Sequence, residues 1–244
     1  MSALNGDSAG QEWSGRELHG TGFDDDFGVA EPTLLAALAD RANETAWMAA
    51  LAGARLIVPI VAAPTDIDNS GDLAVEKSTD MAVVTLTAPD GQRALPVFTG
   101  LTALQQWDPH ARPSPVRAAV AAQAAVSEQC EVMVVDVSSP GTVALRPSMV
   151  WALAQQREWL PAHQDPFVRD AVTAAASDEP DVQSVLCEAG GADALGALRV
   201  VLSLRPGLEP DQVQALAQRV GERIATDGEA RARIDALAFA IRAA

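Results

Sequence analysis

The apolar positions of this chain fall into two successive patterns, preceded by an arm without any period and separated by a proline-containing break. Residues 1–30 are rich in Gly, Ser and Asp and predict a disordered or docked acidic arm. Trp13, Phe23 and Phe27 give that arm the means to dock. Pro32, at a first helical position, is followed by Leu34, Leu35, Leu38, Trp47, Met48 and Leu51, which keep helical spacing up to Gly53. Arg55 to Ala63 reads as a strand; Pro59 within it predicts an edge strand or a bulge, because proline cannot donate to a ladder. Asp80 to Ala88 is β-rich, and Pro89-Asp90-Gly91 turns it back into Arg93 to Thr99 as a hairpin. That second strand breaks at Gly100 into a helix opened by Thr99 or Thr102. Ser114 and Pro115 predict the cap of a helix from Val116 to Gln129, followed by a buried strand, Glu131 to Val137. A turn over 138–141, a short strand from Thr142 to Leu145 and a helix from Pro147 to about Gln156 complete the first pattern.

The break spans Glu158 to Pro166, after which a helix restarts over Pro166 to Ala176. Strands follow at Val182 to Glu188 and Leu198 to Leu204, joined through Gly190-Gly191. Val213, Leu216, Ala217, Val220 and Ile224 share one face of a helix from Pro210 to Thr226, and Ala236 to Ile241 predicts a closing strand. The expected organisation is α/β (α+β): two consecutive domains, each a mixed β-sheet packed with helices. The divisions are an arm (1–30), a first domain (31–157), a linker (158–166) and a second domain (167–244).

Length supports two units, since 244 residues exceed the usual range of about 100 to 200 for one. Aromatic residues are only 4% and tyrosine is absent, so the cores should be built from Ala, Val and Leu. A formal net charge of -16 without any Lys/Arg cluster argues against nucleic acid, and equally against an anionic membrane surface. The longest apolar run, Leu56 to Ala63, is far too short to span a bilayer, and the N-terminus lacks the basic start and apolar core of a signal peptide. A cytoplasmic location is expected. Cys130 and Cys187 form no CxxC motif and are expected to pack as small apolar groups in a reducing compartment.

The stretch RALPVFTGLTALQQW, with Lys77 and Met81 before it and Pro140-Gly141 after the later strand, resembles the SseB (enhanced serine sensitivity) family in its actinobacterial form. The acidic run Asp24-Asp25-Asp26 resembles the arm that precedes the domain in actinobacterial relatives. The order and spacing of the second pattern resemble the C-terminal domain of the same family. The resemblance implies no established reaction.

Motifs for catalysis are few. Asp66, Asp68, Ser70, Gly71 and Leu73 fit the first part of a calcium loop, but Lys77 stands where its bidentate carboxylate belongs. Cys187 has Glu188 beside it and no neighbouring arginine in sequence to stabilise a thiolate. His19, His110 and His163 are far apart, so no metal site is readable. There is no nucleophile elbow, phosphate loop or dinucleotide fingerprint, and no cofactor is expected. Asp108 and Asp136 are lone carboxylates at element ends, positions that usually serve as caps. The best place for a ligand is the strand-to-helix turn Phe98-Thr99-Gly100, flanked by Lys77 and Trp107, where a cap by Thr99 would leave other helix N–H groups facing outward. These features predict a non-catalytic module with a protein partner; the alternative is an enzyme or small-ligand sensor connected with serine metabolism.

Overall fold

A computed structural model of the protein describes residue 23 and residues 25–64, 79–191 and 194–243. Two short helices come first, α1 (Pro32–Ala39) and α2 (Glu44–Ala52). The single helical run expected up to Gly53 therefore divides. Asp40 leaves the helical region, and the Asn43 side chain accepts from Ala46 N at 3.2 Å, which starts a new helix. Then come β1 (Arg55–Pro64), β2 (Thr79–Val83), β3 (Leu86–Thr87) and β4 (Arg93–Val97), followed by α3 (Leu101–Trp107). The chain continues through β5 (Arg112–Arg117), α4 (Ala118–Ser127), β6 (Val132–Val135), β7 (Val143–Leu145) and α5 (Pro147–Ala154).

These strands make two sheets, β2-β1-β5 and β3-β4-β6-β7, the second mixed because β4 and β6 run parallel. Ile57 of β1 and Phe98 just after β4 exchange both backbone hydrogen bonds, at 2.8 and 2.9 Å, and tie the sheets together. The expected hairpin is present between β3 and β4, with Leu86 opposite Ala94. The strand read as continuous from Asp80 splits, however, since β2 pairs with β1 in the other sheet.

Two expectations about proline are overturned here. Pro59 lies in a central strand, paired with β2 on one side and β5 on the other. Its carbonyl accepts from Val84 N at 3.1 Å, and the Ile57–Phe98 bonds point the same way, so the odd-numbered residues of β1 turn their backbone groups away from β5. Pro59 therefore faces the point where β2 ends, and its missing N–H costs the ladder little. Pro113 and Pro115 stand opposite Pro59 and Ile57, in β5 rather than at a helix start. Their nitrogens face the free edge of β5, where proline blunts strand addition. The helix predicted from Val116 begins only at Ala118.

Small side chains build this core as the composition implies. Ala118, Ala121, Ala122 and Ala125 of α4 are fully buried and let the helix approach the sheets closely, against Leu56, Leu95, Met133 and Leu145. A smaller cluster of Ile57, Phe98 and Leu104, with Trp107 and Val137 against it, forms where α3 packs.

The remaining elements are α6 (Pro166–Ser177), β8 (Val182–Ala189), β9 (Ala197–Leu204), α7 (Pro210–Thr226), α8 (Gly228–Arg233) and β10 (Ala236–Ala243). They form a mixed sheet, β10-β9-β8, with β9 and β10 parallel. Its core joins Leu198, Val200 and Leu202 to Val168, Val172, Leu216, Val220 and Ile224 of the helices. Helix α7 has a capping box formed by Glu209 and Gln212 and proline in its first turn, which is why its sequence pattern is so clear. Helix α8 was not expected. Asp227-Gly228 ends α7, but the Asp227 side chain accepts from Glu229 N and Ala230 N and caps a further turn and a half. The α+β architecture with mixed sheets is as predicted.

Candidate functional site

The turn after β4 is held from beneath. Phe98 is fully buried, and its ring lies 5.3 Å from that of Trp107. Thr99 is only 2% exposed; its N–H donates to Asp136 Oδ1 and its hydroxyl to Asp136 Oδ2, both at 2.8 Å. The expected helix cap by Thr99 is therefore absent. Gly100 occupies the capping position of α3 without any side-chain bond, because the Thr99 hydroxyl is committed to the neighbouring strand end. Asp136, which leaves β6 with φ 50°, turns its carboxylate back to Thr99 while its carbonyl accepts from the Thr142 hydroxyl at 2.8 Å. Asx residues tolerate this left-handed conformation better than most, and the three hydrogen bonds hold it.

From above, the same turn is covered by part of the arm. Leu101 N, the first donor of α3, bonds to Gly28 O at 2.8 Å. Arg55, at the start of β1, donates to Thr99 O at 2.8 Å, Val29 O at 2.7 Å and Asp26 Oδ1 at 3.0 Å, and pairs with Asp26 Oδ2 at 2.5 Å. One guanidinium thus ties the strap of residues 25–31 to the turn. Glycine makes the approach close enough. At Gly28 (φ +72°) a methyl group would overlap Leu101, and at Gly100 it would lie 2.9 Å from both Gly28 O and Ala30 N. The backbone of Gly100 is extended, so its smallness rather than its freedom is what the site requires. Two apolar side chains of the strap, Phe27 and Val29, face outward at 86% and 73% exposure, beside the exposed Asp25 and Glu31.

Beside Arg55 opens a cleft of about 710 Å³. Its floor is made of small groups, including Ala49, Ala52, Ala54 and Ala119, with Leu153. Phe23, Glu31, Arg117, Arg157 and Glu158 stand around it. Arg157 pairs with Glu229 at 2.5 Å, whereas Arg117 is exposed and has no acidic partner among the described residues. The cleft floor therefore offers contact area, and its rim carries both signs, with Arg117 exposed beside Glu31 and Glu158.

A second arginine organises the seam between the two cores. Arg146 donates to both oxygens of Glu44, at 2.6 and 2.8 Å, and through Nε to Asp235 Oδ2 at 2.8 Å. Asp235 also accepts from Ser148 N and Oγ, and Ser148 Oγ accepts from Trp159 Nε1 at 3.0 Å. Burial works against the Arg146 charge, but the hydrogen bonds to Glu44 and Asp235 outweigh it and hold the guanidinium above its ordinary pKa. A cleft of about 390 Å³ lies here, near His163 and Leu195, yet Arg146, Glu44 and Asp235 in its lining are already engaged with one another.

The remaining candidates separate. Lys77 and the calcium-like loop lie outside the described residues. Asp108 accepts from His110 N at 2.8 Å and shapes the turn after α3. Burial pushes the thiols of Cys130 and Cys187 up; Arg169 opposes the rise at Cys187 without cancelling it. Among the described residues no group of three or more His, Cys, Asp or Glu could hold a metal ion. None of the described helices is long and apolar enough to cross a membrane. Sequence reasoning singled out Phe98, Thr99, Gly100 and Trp107, which the fold does bring together, but missed Arg55, Asp26 and Asp136 as their partners. The acidic run of the arm was the available signal; an isolated arginine opening a strand was not.

The first core is thus an α+β unit of mixed sheets covered by an alanine-rich helix. Residues 33–152 of it match the family of the SseB protein N-terminal domain. The match begins just after the strap and ends within α5. Neither a curated protein nor a solved structure matches the chain.

Proposed function

We propose that the protein is a non-catalytic SseB protein of the actinobacterial type, in which residues 167–244 form the SseB C-terminal-like domain and residues 158–166 the linker. In this reading it is cytoplasmic and binds another protein through the cleft beside Arg55 and the turn at Phe98, Thr99 and Gly100. The observation that carries the reading is the cleft itself: about 710 Å³ with an apolar floor, bordered by Arg117, which has no acidic partner among the described residues, and lined by no facing nucleophile and base among them. Raised thiols and carboxylates engaged in structural hydrogen bonds support the non-catalytic half of it. Photo-crosslinking tests it. A photoreactive side chain at Ala119, in the cleft, should capture a discrete partner in cells, while one at Leu186, on a remote strand, should not. Equal labelling from both positions would refute the assignment.

A small-ligand sensor connected with serine metabolism is the second reading, favoured by a cleft volume within the range of about 300 to 1,000 Å³ usual for small molecules. A thermal shift with free L-serine, absent with D-serine, would select it over protein binding.

A further inference from the structure

We infer that the strap is an intramolecular copy of the partner's recognition segment: the site at Arg55 takes an acidic peptide that bends at a glycine, and residues 25–31 occupy it in cis. This rests on the protein-binding reading and names the chemistry of the partner. Three observations point the same way. The strap is held as a peptide ligand is held, by one carboxylate on an arginine (Asp26 on Arg55) and by main-chain carbonyls, Val29 O to Arg55 and Gly28 O to Leu101 N. Its seat is built for a backbone rather than for side chains, since Gly28 and Gly100 lie where a methyl group would collide. Finally, its apolar side chains Phe27 and Val29 face away from the protein, so the contact that stabilises it is the polar one, which any segment of like chemistry can reproduce.

The occupant is therefore a segment with an aspartate two residues before a glycine, whose side chain accepts from the glycine N–H as the chain bends, entering past the cleft that Phe23 lines. Arg117 on the rim suits further acidic residues of such a segment. Overall charge does not forbid it, because at physiological ionic strength the screening length is about 8 Å and the peptide senses the nearby arginines. The strap competes at an effective concentration of roughly millimolar, so a free segment of micromolar affinity is excluded while the strap is docked.

The test uses the full chain, its Gly28→Ala and Asp26→Asn variants, and a fluorescent synthetic peptide with the sequence of residues 23–31. Hydrogen exchange of the Leu101 amide reports whether the strap is docked, and peptide binding is read by anisotropy. In at least one variant the amide should lose protection while the fold persists, and the peptide should then bind about tenfold or more tighter than to wild type. A peptide with Asn in place of its Asp26 should bind about tenfold more weakly, and free aspartate should not compete. Continued protection of Leu101 in both variants would overturn the inference, as would a peptide that binds all three proteins alike, or none, or one indifferent to the Asn change. Crosslinking from Ala119 to a partner without peptide binding would sink only the mimicry and leave protein binding standing.

Discussion

Arg55 and Arg146 do similar things with different consequences. Each places a mostly buried guanidinium among several oxygens, and each joins segments distant in sequence. Around Arg146 the acceptors are two carboxylates, each with a second fixed role: Glu44 opens α2 and Asp235 accepts from Ser148 on α5. Around Arg55 the described residues supply one carboxylate, Asp26, and the remaining acceptors among them are carbonyls of the strap and of Thr99. Losing the seam would strand opposite charges between two packed cores; losing the strap would return a short, outward-facing peptide to water. The same side chain thus serves as a permanent rivet in one place and as a releasable clasp in the other, because the packing behind its acceptors differs.

The comparison breaks first at the seam if it is wrong. Arg146→Ala leaves Glu44 and Asp235 with an unpaired, partly buried negative charge, and should cost about 3 kcal/mol in chemical denaturation, with α6 to β10 losing exchange protection together. A loss below about 1 kcal/mol would make the seam no firmer than a surface pair. Thr99→Val comes next. It keeps the backbone bond to Asp136 but removes a buried hydroxyl donor to a carboxylate, for an expected loss of about 2 kcal/mol. Thr99→Ser should retain most of that, and wild-type stability of Thr99→Val would show that the floor beneath the strap is not fixed by Asp136.

How far the sequence showed this contrast follows from how locally each part is encoded. Helix α7, with its capping box, and the β3–β4 hairpin announce themselves within a few residues. The division of α1 from α2 was also written locally, in Asp40 and Asn43, but the apolar spacing running across them masked it. Pro59 misled because its tolerance depends on which way β1 faces its neighbours, a matter of register that no single strand reveals. Phe98 to Gly100 stood out correctly as a special turn. Its hydroxyl chemistry did not, because Thr99 chose a carboxylate 37 residues away over the helix beside it.

The rivet pattern recurs at Glu179, which sharpens the comparison through pH. This buried carboxylate accepts from Arg219 at 2.6 and 3.0 Å and pairs with Arg223 at 2.9 Å, and the Arg219 hydrogen bonds, opposed by burial, hold its pKa below the usual glutamate range. A depressed folded-state value means stability that is present above the unfolded pKa, about 4.3, and lost as pH falls through the lower folded value. Glu179→Gln should therefore cost about 1 kcal/mol at pH 7, since both arginines are substantially exposed, and progressively less below about pH 4. A cost independent of pH would assign the effect to packing of α6 on α7.

The smallest global effect, and the most specific local one, belongs to Asp26→Asn. The change removes the carboxylate that Asp26 places on Arg55 but leaves the Val29 and Thr99 carbonyls as acceptors, so the guanidinium stays solvated or bonded and no charge is buried alone. Global stability should fall by no more than about 1 kcal/mol, in keeping with a pair at the edge of the fold. The strap should respond far more. Exchange at Leu101 should accelerate while amides within β1 and β4 keep their wild-type protection, because a clasp opens without its foundation. Lost protection in β1 as well would mean that the strap is part of the core's cooperative unit, and the distinction between Arg55 and Arg146 would disappear.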